Sequence, residues 1–307
     1  MTAFWSSVNG KLTDKLAAIS APALVFWLGG LAAWSLGHGG VRALARAAGW
    51  LGKQSSFGAA ATLVIVLAGV TASGLIVSRA TLPALRLLEG YWPARPAWVA
   101  AYRKHRVAKV ADQVDAELAT WQDLRLKPAP EASDLAEIYR LEVALHRYPD
   151  PPGPFQPTRT GNLLRSAEGR PGAKYGLDAV TVWPQLWLVL PASTKDEITS
   201  ARTALDNSVA ATLWGMLFCV FTPWTILALP AGLLVAVVAA VAWVPARAEI
   251  FGSMLEAAFD LHRAALYQQL RWPLPANPDD EYAQGLLVTQ YLWRGLTGTA
   301  PEFTPPQ

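Results

Sequence analysis

The chain carries little charge for its length. Charged residues make up 16% of its 307 residues and hydrophobic residues 52%, whereas soluble proteins average roughly 25% charged residues. The net charge is only +3, and the basic residues are spread along the sequence instead of forming the dense basic face of a nucleic-acid-binding protein. We therefore expect no nucleic-acid partner.

Cysteine is almost absent as well. Cys219 is the only one, so the chain can form no intramolecular disulfide and offers no pair of thiols to a metal ion. Because it lies inside an apolar run, we interpret it as a small buried hydrophobic residue. The lack of paired cysteines also fits a reducing compartment.

The sequence also lacks the common signatures of catalysis and of cofactor binding. It has no GxGxxG, Walker A, HExxH or GxSxG pattern, each of which marks a specific phosphate, metal or nucleophile site. No two histidines share a helical face. We therefore predict no catalytic residue, no cofactor and no metal site, and we expect a non-enzymatic protein.

Long uncharged runs are the main feature that the sequence does have. Residues 16–36 and 54–78 contain no charged side chain. Each run reaches the length of about 20 apolar residues that a helix needs to cross a hydrocarbon core of about 30 Å. A third uncharged run, 207–246, would extend about 60 Å as a single helix. These runs predict an integral membrane protein.

The third run is too long for one crossing and has to fold back. Pro223 and Pro230 lie near its middle, and proline removes a backbone donor and disfavours a helical residue before it. We therefore predict a tight turn near Pro223, between helices at about 207–221 and 226–244. Together with the first two runs, this makes four spans in two helical hairpins.

Basic residues near the spans predict the orientation, because Lys and Arg are enriched in cytoplasmic loops. An even number of spans puts both termini and the middle segment on one side. More basic residues flank the spans there than the Arg42, Arg46 and Lys53 of the first loop. The abundant Arg, Ala, Gly and Trp are typical of a GC-rich bacterial genome. We predict a multi-pass protein of the bacterial plasma membrane, with the N-terminus and C-terminus cytoplasmic.

The runs divide the chain into four segments. We predict an N-terminal transmembrane hairpin at 1–78, a cytosolic middle domain at 79–205, a second transmembrane hairpin at 206–246 and a cytosolic C-terminal segment at 247–307. The C-terminal segment is expected to pack on the middle domain. The predicted fold class is mainly α, with a four-helix transmembrane bundle and a mostly helical cytosolic domain formed from the middle and C-terminal segments.

Helical periodicity recurs in the segments outside the spans. Apolar residues at spacings of three and four indicate helices at about 97–126, 133–147, 247–271 and 279–295. Ser133 is the expected N-cap of the second of these helices. The polar segment between them is therefore expected to be a helical domain.

Two segments indicate contact with the membrane surface. Residues 41–51 have the pattern of a short amphipathic helix, which we expect to rest on the outer surface. Residues 178–190 are rich in β-branched and aromatic residues. They fit a strand pair, and they equally fit an interfacial segment held against the membrane by Trp183 and Trp187.

One polar cluster is a candidate binding site. Arg159, Asn162, Arg165 and Arg170 are close together in the sequence, with Glu168 among them. Guanidinium groups favour phosphate and carboxylate oxygens, so the cluster predicts contact with an anion or an acidic lipid headgroup. A solvated basic face beside the membrane explains the same residues.

A pair of carboxylates is a second candidate. Glu256 and Asp260 are four residues apart in a predicted helix, which places them on one helical face. Such a pair could bind a cation. An ordinary polar face of a helix explains the same spacing.

Small residues four apart recur in the predicted spans, where they let helix backbones approach closely in lipid. They are Gly29 and Ala33 in the first span, Gly69 and Ser73 in the second, and Gly232, Ala236 and Ala240 in the fourth. Packing inside the bundle explains these residues, and association of several copies into a homo-oligomer explains them too.

The functional hypotheses follow from what the spans contain. None of them has an internal Asp, Glu, Lys, Arg or His, residues that ion-coupled transporters usually place at mid-membrane. We expect a bundle that anchors a cytosolic domain at the lipid bilayer, where the domain binds an unknown cytosolic protein or a small ligand. The alternative is an oligomeric pore or membrane-perturbing effector, gated by the cytosolic domain in a stress or defence response. A third hypothesis is an enzyme that acts on lipid.

Overall fold

The computed structural model describes residues 21–150, 154–295 and 302–304, and in these residues the structure is helical with no β-strand. The mainly α prediction is therefore confirmed for the described residues, whereas residues 16–20 of the first predicted span lie outside them. The helices are α1 (Ala21–Gly37), α2 (Val41–Gly52), α3 (Ser56–Glu89), α4 (Ala97–Arg125), α5 (Ala132–Leu145), α6 (Arg159–Tyr175), α7 (Ala179–Val189), α8 (Ala192–Phe218), α9 (Ala228–Val238), α10 (Val244–Gln269) and α11 (Pro278–Arg294). A 3₁₀ turn, Cys219–Phe221, follows α8, and a π turn, Ala239–Trp243, joins α9 to α10.

The chain divides into two compact units. The apolar unit contains the described residues up to Leu85 together with Asp206–Val244. The polar unit contains Arg86–Leu205 together with the described residues from Pro245 onwards. The described parts of the uncharged runs fall in the apolar unit, except for residues 245 and 246.

Among the described residues, three helices are long and apolar enough to cross a membrane. They are α3, α8 with its 3₁₀ turn (Ala192–Phe221), and α9 continued through α10 (Ala228–Gln269). Helices α1 and α2 meet at a bend of 109°, and they add a fourth candidate if the bent pair crosses as one span. The structure thus supports a membrane location with three candidate spans.

The predicted turn near Pro223 is present. The backbone N–H of Trp224 donates to the carbonyl of Phe221 at 3.0 Å, and α9 begins shortly afterwards. The helices on either side of the turn touch through glycine, because a Cβ on Gly215 would lie only 2.5 Å from the backbone nitrogen of Ala236. The chain therefore folds back on itself as predicted.

The helix after this turn was predicted to end near residue 244. In the structure it continues to Gln269. Pro245 explains the π turn on the way, because proline has no N–H and its ring clashes with the carbonyl four residues earlier. The N–H of Val244 donates to Ala239, five residues back, and a single π turn accommodates this. The inserted residue shifts the buried face, so that Ala239 is buried and Ala240 is partly exposed.

The strand-pair interpretation of residues 178–190 is wrong, because they form the helix α7. The side chain of Asp178 caps it by accepting a backbone N–H of the first turn at 2.8 Å. The buried residues Ala179, Val182 and Leu186 are three and four apart, which is the helical period and not the period of two that a strand requires.

The core of the polar unit forms around α7. Phe259, Tyr267 and Trp272 are its largest fully buried side chains. The ring of Trp183 lies 6.1 Å from that of Phe259, and the ring of Trp187 lies 5.7 Å from Trp183. Both indole rings therefore pack on the core of their own unit.

Two glycines let α11 approach the corner between α6 and α7. Gly176 ends α6 with a left-handed φ of 68°, which costs glycine little. A Cβ on Gly285 would lie 1.8 Å from the carbonyl oxygen of Tyr175. The Thr289 hydroxyl donates to the Gly176 carbonyl at 3.0 Å, which fastens α11 at this corner.

Helices α4 and α5 form a hairpin in which only Val114 of α4 is buried. Arg125 donates to Glu142 at 2.8 Å and ties the two helices together. The N-cap of α5 is Glu131, which forms a capping box with Asp134. The predicted N-cap, Ser133, is wrong because it already lies in the first turn.

Candidate ligand-binding pocket

The residues of the predicted anion site all lie on α6, but each has its own neighbours. Arg159 lies 3.8 Å from a carboxylate oxygen of Glu249 and Arg165 lies 3.6 Å from Glu168. Asn162 is buried and does not face a ligand. Its amide accepts the N–H of Gln156 at 2.7 Å and donates to the carbonyl of the same residue at 3.0 Å.

Only part of the cluster meets at one place. Arg159 and Asn162 line a small cavity of about 180 Å³, together with Arg147 and Tyr148. Arg165 and Arg170 lie outside that cavity. The structure therefore does not gather the four residues of the cluster around one anion.

Arg170 belongs to an ion-pair network between α6 and α10. It donates to Glu256 at 2.6 Å, and Lys174 donates to the other oxygen of the same carboxylate at 2.5 Å. Lys174 also lies 3.6 Å from Asp260, whose carboxylate accepts the Tyr175 hydroxyl at 2.6 Å. The two carboxylates of the predicted cation site are thus neutralised from within the unit. Among the described residues, no group of three or more His, Cys, Asp or Glu side chains is placed to hold a metal ion.

The network also acts on the groups around it. The His146 carbonyl accepts hydrogen bonds from Arg170 and, at 3.1 Å, from Ser166. Burial and the nearby Arg170 charge lower the pKa of the His146 imidazole. Burial and the hydrogen bond to Asp260 raise the pKa of Tyr175 to about 12. The His146 carbonyl thus joins the end of α5 to α6, and the Tyr175 hydroxyl joins α6 to α10.

A cleft in the polar unit has the properties of a small-molecule site. Its volume is about 290 Å³, close to the lower limit of about 300 Å³ for ligand pockets. Four helices line it, through Leu164, Ala167 and Glu168 of α6, Ala179, Val180, Trp183 and Pro184 of α7, Arg202 of α8, and Phe251, Gly252 and Leu255 of α10. The lining is mainly apolar, with one carboxylate and one guanidinium group.

The walls of the cleft are aromatic and its depth is set by a glycine. Trp183 and Phe251 supply flat apolar surfaces, and the Arg202 guanidinium lies 5.6 Å above the Phe251 ring. A Cβ on Gly252 would lie 2.9 Å from the Cβ of Ala167, so α6 and α10 are as close there as glycine permits. The cleft is therefore closed between these two helices and open beside α7, where Val180 is 68% exposed.

Glu168 is the carboxylate of the cleft. Its side chain remains 45% exposed, and Arg165, its paired cation, is 3.6 Å away, beyond a strong hydrogen bond. Burial by the surrounding protein raises the pKa of Glu168. The positive charge of Arg165 lowers this pKa, and the negative charge of Asp178 raises it further. The carboxyl group therefore keeps its proton to higher pH than an ordinary glutamate and gains from a second cation beside it.

The predicted small residues pack mainly inside the apolar unit. A Cβ on Gly29 would lie 2.8 Å from the Phe218 ring, and a Cβ on Gly232 would lie 2.6 Å from the carbonyl of Gly215. Ala33 is buried in a cluster with Phe221 and Ala228. These residues are used for contacts between helices of one chain.

The two predicted packing residues on α3, Gly69 and Ser73, differ in whether another helix of the chain contacts them. Ser73 accepts a hydrogen bond from the indole nitrogen of Trp27 at 3.1 Å. Gly69 has open space where a Cβ would be, with no described atom within 4 Å. Gly69 is thus the predicted packing residue whose surface is uncovered in the described residues.

Sequence reasoning missed Gly215 and the cleft. Gly215 and Cys219 are four apart in the third span, the same signal that singled out residues in the other spans. The cleft had no comparable signal, because Glu168, Trp183 and Phe251 come from three different helices, the last of them far along the sequence from the other two.

Comparison with family models, with curated proteins and with solved structures finds no match to this chain. The structure alone therefore defines the class. It is an α-helical protein, over the described residues, that combines three candidate membrane spans with a polar unit that has its own apolar core.

Proposed function

We propose that the chain is a non-enzymatic, four-span protein of the bacterial plasma membrane that holds a ligand-binding helical domain on the cytoplasmic side. In this proposal α1 is the fourth span, α2 is the connector on the outer surface, and both termini are cytoplasmic. The observation that carries the function is the cleft of about 290 Å³ in the polar unit, with aromatic walls and a carboxylate.

The exposed apolar surface of the candidate spans supports insertion. The most apolar window of α3 has a mean hydropathy of 2.3 but is only 17% buried within the structure. Ile65 is 70% exposed and Val64 is 64% exposed, and contiguous apolar surface on this scale is unstable in water. Lipid is the environment that covers it.

The lining of the cleft indicates the class of ligand. Trp183 and Phe251 favour a flat apolar group, and a cation beside Glu168 would be stabilised by its carboxylate. The small volume limits the ligand to one or two rings. We therefore propose a small aromatic amine or a similar amphipathic cation.

Two probes with the same ring and opposite charges test this proposal. Full-length protein in lipid nanodiscs is titrated calorimetrically with tryptamine and with indole-3-acetate, with empty nanodiscs as the blank. We expect tryptamine to bind more tightly. Its affinity should rise as the pH rises through the raised pKa of Glu168, because only the ionised carboxylate attracts the ammonium group.

A variant that fills the cleft provides the control. Val180→Trp places a large ring at the open side of the cleft and should weaken tryptamine binding by at least about tenfold, which is about 1.4 kcal/mol. Leu188→Trp changes another exposed apolar residue of α7, one that does not line the cleft, and should leave binding unchanged. Equal binding to both variants, or the same affinity for both probes at every pH, would contradict the proposed ligand class.

The oligomeric pore is the second candidate, and one observation favours it. Gly69 lies on an apolar helix with open space around it, and small residues at uncovered positions can mediate association in lipid. Five of the other predicted packing residues contact helices of their own chain, namely Gly29, Ala33, Ser73, Gly232 and Ala236. The pore therefore depends on the surface of α3 around Gly69.

A further inference from the structure

The segment 91–109, here called the basic–aromatic segment, follows α3 and leads into the hairpin of α4 and α5, and it contains five basic residues. Its bases are Arg95, Arg103, Lys104, Arg106 and Lys109, with His105 among them, and its aromatic residues are Tyr91, Trp92, Trp98 and Tyr102. No acidic residue occurs between Glu89 and Asp112. Residues 110–142, in contrast, hold eight carboxylates and three basic residues. Positive charge is therefore concentrated at one part of the hairpin.

One face of this segment is largely exposed, although Tyr102 on it stacks against Trp92. Trp98, Tyr102, His105 and Lys109 are spaced by four, three and four residues and share one face of α4. Trp98 is 71% exposed and Tyr102 is 52% exposed, and His105 and Lys109 are exposed as well. The buried Val114 lies on a different face, at about 100° per residue along the helix. The exposed face therefore combines aromatic rings with positive charge.

Over the part of the chain that the structure describes, none of the ion pairs of the hairpin includes a base of this segment. Those pairs join Arg125 to Glu142, Lys127 to Asp134 and Arg140 to Glu137, all in the distal part. Arg103, in contrast, donates to the backbone carbonyl of Trp92 at 3.4 Å, and Lys104 and Lys109 are exposed. Their charges remain available to an external anion.

The segment is anchored at the end of α3. The indole N–H of Trp92 donates to the Leu87 carbonyl at 2.8 Å, and its ring stacks on Tyr102 at 5.7 Å. The 34 residues of α3 extend about 51 Å as a helix, compared with about 40–45 Å for a bilayer with its headgroups. If α3 spans the membrane, its end lies within roughly 10 Å of the headgroup layer.

We infer that the basic–aromatic segment binds the headgroups of anionic phospholipids at the membrane face where α3 ends. This inference rests on the proposed insertion of α3. The Lys and Arg side chains attract phosphate groups, and juxtamembrane clusters of such residues bind negatively charged leaflets. Trp98 and Tyr102 favour the headgroup region, where a ring can be half in apolar surroundings. The headgroup contact that the sequence predicted on α6 is thus assigned to α4 instead. On α6, Arg170 is paired with Glu256 and Asn162 is hydrogen-bonded to the backbone of Gln156.

The test uses the full-length protein in detergent and native mass spectrometry. Equal amounts of phosphatidylglycerol and phosphatidylcholine are added, and the bound lipids are counted. We expect a preference for phosphatidylglycerol that the triple variant Arg103→Gln/Lys104→Gln/Lys109→Gln lowers by about tenfold or more. The preference of the original chain should also fall as ammonium acetate is raised, because salt screens exposed charges.

A matched variant separates this site from a general effect of charge. Arg125→Gln/Lys127→Gln/Arg140→Gln removes three positive charges from the same hairpin and should keep the original preference. An unchanged preference in the first variant, or equal losses in both, overturns the inference. Extraction of membranes with alkaline carbonate tests the proposed membrane insertion separately. Release of the original chain into the supernatant would refute insertion. If the chain stays in the membrane pellet, the lipid test decides the inference.

Discussion

Glu256 pairs through its carboxylate with two positive side chains of the polar unit. Its side chain is only 12% exposed, and it accepts from Arg170, which is 13% exposed, and from Lys174. Both partners come from α6, one helical turn apart. Removal of one member of such a buried group costs far more than the group itself contributes, because the remaining charges lose their compensation.

We therefore expect Glu256→Gln to destabilise the protein. The variant leaves the Arg170 and Lys174 charges beside a neutral amide, at a cost of about 2–4 kcal/mol. This corresponds to a fall in Tm of roughly 5–10 °C for a unit of this size. Circular dichroism of the full-length protein in detergent measures it.

Glu249→Gln is the matched control on the same helix. Glu249 pairs with Arg147 at 3.1 Å but is 42% exposed, and exposed pairs contribute about 0–1 kcal/mol. Its Tm should stay within about 2 °C of the original. Equal losses from both variants would mean that burial of Glu256 has no part in stability.

At the scale of helices, contact between glycines decides how α8 and α9 pack. Gly215 faces both Gly232 and Ala236 at distances that leave no space for a side chain. Close backbone approach of this kind favours helix association in lipid. The hairpin of α8 and α9 thus depends on its small residues as well as on the turn at Pro223.

Gly215→Ala should therefore separate the two helices. Added bulk in a packed contact costs about 1–3 kcal/mol, which outweighs the gain of about 1 kcal/mol in helix propensity. We expect a fall in Tm of a few degrees, measured by thermal unfolding in detergent. Gly69→Ala makes the same chemical change in open space and should leave Tm unchanged or slightly higher. A loss for Gly69→Ala in lipid would instead reveal a contact with a second copy.

At the scale of the whole molecule, the number of copies distinguishes the two candidate functions. A ligand-binding domain anchored by its own spans needs no central channel, whereas a pore needs several copies, because the four spans proposed for one chain enclose too little space. We therefore expect native mass spectrometry of the protein in lipid nanodiscs to show a monomer or a simple dimer. A closed assembly of four or more copies would favour the pore and contradict our proposal.

Much of the secondary structure follows from local sequence signals. The helix at 97–126 was predicted from apolar residues at spacings of three and four, and α4 occupies nearly the same residues. Pro223 marks the turn between α8 and α9 because the effect of proline is local to its own backbone. For residues 178–190 the sequence left a strand pair open, because β-branched and aromatic residues also favour strands. The segment is a helix, and the residues that it buries are three and four apart.

The candidate site, in contrast, depends on tertiary packing more than on local sequence signals. Arg170 has the same local appearance as Arg165, but only the packing of α10 against α6 brings Glu256 to it. The cleft likewise needs Trp183 and Phe251 to meet across distant segments. No local pattern contains such distances, so the sequence could not show that Arg170 pairs with a residue of another helix whereas Arg165 pairs within its own.

The sequence by itself determined that this protein has apolar helices able to enter a membrane, because length and the absence of charge over a run are sufficient for that property. It also determined the reversal at Pro223 and the helical character of the polar segments. Only the tertiary structure decided which charges neutralise each other, which small residues are already in contact, and where a cleft remains. Those outcomes depend on contacts between residues far apart in the chain, and such contacts are set by packing.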